Sequence, residues 1–467
     1  MMTMTMMTMT MMTTMTTRSE PMSPSESQTA PSTAHMLIPF PPLSAQPTWG
    51  ERFVERDGDT PIAGFSFGGV HAGVKSDPAK LDFGLISVPS GARCAGVYTQ
   101  NQVVAAPVTL SRAHLATAEV TRAVIVNSGN ANACTGERGA ADALHLAEQA
   151  ARLCGCAVSE VQVASTGVIG APLPIERLDA ATSSLGEDCS SDGLRRFATS
   201  IMTTDNRPKV RVLSLDLRGV EGAAGVTEVQ LGGCSKGAGM IHPNMATMLA
   251  YLCSDAPISQ SDLQAIWRRV CDQSFNAITI DGDTSTNDTA LCLTSGLAPR
   301  DEEALGPVSD LSGDALALFE RALLTVAQAL AVDILRDGEG VEHIAALTIH
   351  GARDRAEARQ VAETIGLSPL VKTAMNGCDP NWGRIVAAIG RSGVSIEPER
   401  ISLKIGGVSI YERGVWRGVE REREASAVMR GAEYSVDVNL ELGDASFTLF
   451  MSDLSAQYVS INADYRS

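Results

Sequence analysis

The stretch KGAGMIHPNMATMLAYLCSDA, Lys236 to Ala256, joins a glycine-broken loop to a short apolar run. MLAYLC has the length of a buried strand, bounded by turn residues on one side and Ser254-Asp255 on the other. A lone hydroxyl, Thr247, stands at the seam. Either it caps the strand by bonding to nearby backbone, or it does chemistry. Threonine is a poor nucleophile unless a base lies close. If the peptide bond before it is cut, its own α-amine becomes that base, with an ordinary pKa of about 7.7–8.0. This reading makes the fold a self-processing one: a flexible loop presents the Ala246–Thr247 bond, and a strand begins just past it.

Outward from this seam, strand and helix patterns alternate. Ala123 to Val126 reads as a buried strand running into a Gly/Asn loop, and a helical spacing follows from Ala141. VQVASTGVIG repeats the strand-then-loop theme and ends at Thr166-Gly167. RVLSLDLRG alternates as a half-buried strand does. Leu263, Ile266, Trp267 and Val270 form one helical stripe behind Ser and Asp cap candidates. Ser312 opens a longer helix with a stripe of Leu316, Phe319, Leu323, Val326 and Leu330, and Gly338 suits its C-terminal cap. HIAALTIHGA, YSVDVNLEL and ASFTLFMSDL supply later strands. The expected class is α/β, in its layered α+β form, with sheets sandwiched by helices in two domains.

Composition narrows the function. The chain has 467 residues and a net charge of −17, with a pI near 4.9 and mean hydropathy +0.04. It carries neither a basic stripe nor interleaved aromatics, so a nucleic-acid partner is not expected. No uninterrupted apolar run nears the roughly 20 residues that span a bilayer, so neither is a membrane. Ten scattered cysteines and seven histidines without ligand-like clustering argue against a metal and for free thiols in a reducing compartment. Residues 1–46 are different material. Nine of the eighteen methionines fall in the first fifteen positions, and Ser, Thr and Pro dominate the next thirty. They read as a disordered tail with neither a secretory nor a transit pattern.

Several loops could serve Thr247. Thr166-Gly167 could converge a hydroxyl and a backbone N–H on an oxyanion, where one lost donor typically costs about 2.7–4 kcal/mol; an ordinary turn is the alternative. Lys236 could meet a carboxylate, or be a solvated lysine. Glu339, between two glycines, could attract an ammonium group, or be a solvated loop carboxylate. DGDTSTND, residues 281–288, lacks the glycine and glutamate of a calcium loop and reads as a turn network.

Taken in order, GVYTQNQVVAAPV, NSGNANACTG, STGVIG, MTTDNRPK, KGAGMIHPNMATML, DGDTSTND, RDGEG, SPLVKTAMNGCDPNWGRI and INADYRS resemble the ornithine acetyltransferase family of arginine biosynthesis, also called the glutamate N-acetyltransferase family. The resemblance runs from about residue 60 to 467. It implies an N-terminal-nucleophile-like architecture and self-cleavage between Ala246 and Thr247. The products would be an α chain (47–246) and a β chain (247–467) that stay together, as a heterotetramer of two of each in the cytoplasm. By the same resemblance Thr247 is the nucleophile and Thr166 and Gly167 form the oxyanion hole. Thr203, Lys236, Thr247, Glu339, Asn462 and Ser467 bind substrate, and neither metal nor prosthetic group is used. The implied reaction moves acetyl from N-acetylornithine to glutamate through an acetyl-threonine ester, and some members also accept acetyl-CoA. The sequence departs from the family at Asn206, where threonine is usual, at Val341-Glu342-His343, where Ala-Thr-Lys is usual, and at Ser467, which replaces threonine. Two rival readings are a self-cleaving amidase or aminopeptidase, and a cysteine enzyme using Cys234 or Cys378 with His242 as base. A non-catalytic acidic binding protein is a third.

Overall fold

The strands run β1 Phe53–Arg56, β2 Ser66–Val70, β3 Phe83–Tyr98, β4 Thr121–Asn130, β5 Val161–Val168, β6 Lys209–Asp216, β7 Glu228–Lys236, β8 Leu249–Ser254, β9 Ile278–Thr279, β10 Thr289–Thr294, β11 Ile344–Ala352, β12 Ser402–Ile405, β13 Val408–Glu412, β14 Val415–Trp416, β15 Glu433–Asn439 and β16 Ala445–Ser452. They come from a computed structural model that describes residues 52–242, 248–301 and 309–464, all within one compact unit, Phe40–Ser467. Ala246, Thr247, Ser467 and the tail lie outside the described residues.

Two mixed sheets form. The larger, of nine strands, runs β1-β6-β7-β8-β10-β3-β4-β5, with β2 paired to β3. The smaller, of seven, runs β14-β13-β12-β15-β11-β16-β9. The expected strand MLAYLC is β8, buried at every residue. It lies antiparallel to β7 and parallel to β10, with Lys236 opposite Leu249. A strand buried on both faces reads as a continuous apolar run, which is why no alternation shows in its sequence.

The helices divide between the sheets. On the larger sheet, α1 Ala106–Thr117, α2 Gly136–Cys154, α3 Ile175–Asp188, α4 Leu194–Ser200, α5 Gln260–Asp272 and α6 Gly313–Arg336 cover the two faces. Strand β4 displays the period-two rule: Val124 and Val126 join a core with Phe197 of α4, whereas Ala123 and Ile125 join one with Leu146 of α2 and Leu178 of α3. On the smaller sheet, Leu347 and Ile349 pack on α7 Arg355–Gly366, α8 Pro369–Asn376 and α9 Trp382–Gly390, with α10 Val419–Met429 beyond. The short α11, Ala456–Asp464, follows β16.

Several sequence expectations shift in detail. Helix α2 begins at Gly136, five residues before the apolar spacing becomes regular at Ala141. Helix α6 opens behind Ser312 as expected, but it ends on Asp337 at φ −106°, and Gly338 adopts no left-handed cap. Gly338 is small because a Cβ there would meet Val341 and the Leu335 carbonyl. Helix α6 is long and apolar enough to cross a membrane by length and composition, yet most of it is buried within the fold. It packs on β6 and β7 and also reaches β9 and β16, so it is the core helix between the two sheets.

Candidate active site

The chemistry-bearing residues converge at the mouth of the β7–β8 hairpin. A cleft of about 640 Å³, counting its open mouth, is lined by Thr166, Gly167, Thr203, Lys236, Glu339 and Asn462, with Ala131, Gly239 and Asn287 among the other walls. Six residues from five separated stretches of sequence thus meet in one space. The cleft is reached by the strand ends β5, β7 and β10 of the larger sheet and by the loops that follow α6 and α4.

Lys236, at the end of β7, is 2% exposed. Burial pushes its ammonium below the usual lysine range, and Asp205, Asp288 and Glu339 oppose that shift. Asp205 is the anchor. Its Oδ1 accepts the Gly237 N–H at 2.8 Å, and its Oδ2 accepts the Thr203 N–H at 2.9 Å. Lys209 Nζ, itself buried, bridges Asp205 Oδ1 at 2.5 Å and Asp337 Oδ2 at 2.6 Å. Burial works to raise the Asp205 carboxyl, but Lys209, Lys236 and the Gly237 N–H outweigh it and hold it at about 2. A carboxylate fixed in this way positions Thr203 and the start of the Lys236 loop together.

Glu339 rides above that loop. Its N–H donates to the Ala238 carbonyl at 2.9 Å, and its Oε2 accepts from Asn462 Nδ2 at 2.9 Å. Gly239 leaves room for it, because a Cβ there would lie 2.7 Å from Glu339 Oε2 and push that carboxylate aside. Glu339 is 8% exposed and so sits in the wall of the cleft, whereas Asn462 is exposed at its rim. The Lys236 loop is tied down further along, where Asp281 accepts the Met240 N–H at 2.6 Å and the Ile241 N–H at 2.9 Å.

On the opposite wall, Gly167 holds φ +132°, a conformation that side chains avoid. A Cβ at this position would collide with the Gly129 carbonyl carbon and the Asn130 nitrogen. The β4–β5 ladder breaks register there, between Gly129 and Asn130, and such an irregularity re-aims backbone groups. Thr166 beside it is buried. Asn287 Nδ2 donates to the Ala131 carbonyl at 2.6 Å and the Ser165 carbonyl at 2.9 Å, locking both strand ends.

The turn network expected at 281–288 therefore exists, but it builds the cleft as well as turning the chain. Asp288 is its most unusual member. It is wholly buried, its Oδ1 accepts the Met248 N–H at 2.9 Å, and its Oδ2 has no partner among the described residues. Burial raises its pKa well above the carboxylate range, against the pull of Met248 N–H and Lys236. Asp205, Asp281, Asn287 and Asp288 were not singled out from sequence. Their one visible sign was membership of MTTDNRPK and DGDTSTND, since burial is what converts an ordinary Asp into an anchor.

The cysteine rival finds no support. Cys234 is buried in β7, and burial pushes its thiol far up, away from the thiolate a nucleophile needs. Cys378 faces His343 Nε2 at 3.4 Å, not His242.

The chain matches the ArgJ family over residues 66–467. It is 44% identical to the arginine biosynthesis bifunctional protein ArgJ of Geobacter sulfurreducens over 406 residues, which are 87% of this chain and all of that one. Among solved structures, ArgJ of Bacillus halodurans is 37% identical, with a TM-score of 0.42 over 46% of this chain and 98% of that chain. Ornithine acetyltransferase of Mycobacterium tuberculosis, solved with ornithine, is 36% identical, with a TM-score of 0.36 over 41% of this chain and 98% of that one. The chain therefore belongs to the ArgJ family of arginine biosynthesis, and it is an acyltransferase.

Proposed function

We propose that the chain cuts itself between Ala246 and Thr247 and then acts as a glutamate N-acetyltransferase through an acetyl ester on Thr247. In processing, Thr247 Oγ attacks the Ala246 carbonyl carbon. The C–N bond breaks and frees the Thr247 α-amine, and water then splits the ester to leave an Ala246 carboxylate. In turnover, the same Oγ attacks the acetyl carbonyl of N-acetylornithine while the α-amine accepts its proton. Ornithine leaves with that proton. The amine of glutamate then attacks the ester, and N-acetylglutamate departs as the Oγ–H re-forms.

One observation carries this reading: Thr166, Gly167, Thr203, Lys236, Glu339 and Asn462 line a single cleft at the hairpin whose β8 strand begins just after Thr247. Thr166 and Gly167 act as the oxyanion wall, Lys236 takes a substrate carboxylate, and Glu339 with Asn462 receives an ammonium group. Ser467 joins the pocket on this reading. Neither metal nor prosthetic group takes part in the chemistry, and acetyl-CoA is a second donor.

The sheet accounts for why cut chains stay together. In β7–β8 and β3–β10, segments before and after the cut pair antiparallel. Separating them would expose those ladders to water. A heterotetramer of two α and two β chains in the cytoplasm completes the reading.

The test is a denaturing gel with mass analysis of the smaller fragment. Two bands are expected, the smaller starting at Thr247, and Thr247→Ala should remain whole and form no acetyl ester. An uncut wild-type chain that transfers acetyl at full rate would overturn the reading. Acetate released without glutamate would instead make the enzyme a hydrolase.

A further inference from the structure

Away from the cleft, the loop after Glu339 meets the segment after β16. Glu342, His343 and Asp453 each offer one ligand atom there, all within 4.8 Å of one another. Asp453 is 3% exposed. Its Oδ1 accepts the Glu342 N–H at 3.1 Å and its Oδ2 accepts Asn376 Nδ2 at 2.8 Å. Among the described residues neither Asp453 nor Glu342 forms an ion pair with Lys or Arg. The nearby Lys372 Nζ donates instead to the Ser452 carbonyl and hydroxyl.

The imidazole of His343 is held on one side, where Nε2 faces Cys378 Sγ at 3.4 Å. Its other nitrogen, Nδ1, is buried and has no hydrogen-bond partner among the described residues. A buried polar nitrogen without a partner is costly, and a cation would satisfy it. Backbone bonding holds the two segments in register: the Asp453 N–H donates to the His343 carbonyl at 2.9 Å, and Ser455 Oγ donates to the Gly340 carbonyl at 2.6 Å.

We propose that Glu342, His343 and Asp453 form a site for one divalent first-row cation, Zn²⁺ by its donor set. One imidazole nitrogen and two carboxylate oxygens suit Zn²⁺ with water as fourth ligand. Ligand atoms on a tetrahedral ion lie about 3.3 Å apart, so the exposed Glu342 side chain must swing inward. Cys378 acts from outside the ion, holding the ring through Nε2 as outer partners of metal-bound histidines do. The site joins the two segments that carry Glu339 and Asn462, but takes no part in acetyl transfer. Sequence alone pointed away from metal because the histidines are scattered; the fold supplies the carboxylates.

The experiment uses metal-stripped full-length protein, titrated with Co²⁺ by visible absorption and with Zn²⁺ by calorimetry. Wild type should bind one equivalent that His343→Ala lacks. Glu342→Gln changes an exposed side chain, so it keeps the fold, and it should weaken that equivalent by about tenfold or more. Cys378→Ser should weaken it by about 10- to 100-fold. If wild type binds neither ion, or if His343→Ala and Glu342→Gln bind as wild type does, the site does not exist.

Discussion

Lys236 draws its reactivity from where it sits. Burial lowers its pKa from the ordinary 10.5, while the carboxylates of Asp205, Asp288 and Glu339 limit the fall. A lysine is cationic below its pKa, so Lys236 in the free enzyme loses its charge at a lower pH than a solvated lysine would. On the proposed function, kcat/KM for N-acetylornithine should fall on the alkaline side with a midpoint below 10.5. Lys236→Met should remove that limb and lower kcat/KM by about 10- to 100-fold, the worth of one hydrogen bond to a charged group. A pH–rate profile of the first half-reaction checks both. Gly167 invites a second test. With φ +132° and backbone packed against its Cα, Gly167→Ala must distort the β4–β5 bulge. We expect kcat to fall by about 10²-fold or more, as when an oxyanion donor is displaced, with a lowered melting temperature. The sequence marks both residues as candidates, Lys236 with a solvated lysine as the alternative and Gly167 with an ordinary turn. What their codes could not reveal was that Lys236 is buried, or that Asp205 holds Thr203 and Gly237 together.

Among the elements, helix α5 behaves as its sequence predicts. Ser259 Oγ accepts the Asp262 N–H, and Leu263, Ile266, Trp267 and Val270 are buried in one stripe. Trp267 also donates from Nε1 to the Ala290 carbonyl at 3.0 Å, tying the helix to β10. Ser259→Ala should cost about 1 kcal/mol, the usual loss of an N-cap, visible as a lower melting temperature with activity unchanged. Such an element is legible because cap, stripe and length are local properties. Strand β8 is less so, since a fully buried strand and a buried helical turn share one apolar pattern. The end of α6 shows a local rule losing to packing: Gly338 fits the C-cap pattern, but the contacts of Val341 and Leu335 are what require it.

At the scale of the whole molecule, a chain of charges ties the two sheets through α6. Arg211 of β6 pairs with Glu55 of β1 at 2.9 Å and with Asp333 of α6 at 2.8 Å. Arg336, one turn on, pairs with Asp333 at 2.9 Å and with Glu433 of β15 at 2.8 Å. Burial works against the Arg336 charge, but Glu433 and Asp333 more than compensate and raise its pKa. Arg336→Met would leave the half-buried Glu433 without its partner, while the buried Asp333 keeps Arg211. A loss of about 1–2 kcal/mol is expected, measured as a fall in melting temperature, and adding Glu433→Met should recover part of it.

The sequence by itself determined the alternation of strands and helices, the loop-to-strand seam at Lys236–Ala256, and the family, because periodicity, caps and an ordered series of motifs are written along the chain. Only the tertiary structure decided which side chains share a space. Asn287 became part of the cleft wall, Asp205 and Asp288 came to hold backbone behind it, and His343 met Asp453, through contacts between residues far apart in the chain. The physical reason is that a side chain's charge state and hydrogen-bond partners depend on burial and neighbours, which are set when the sheets close.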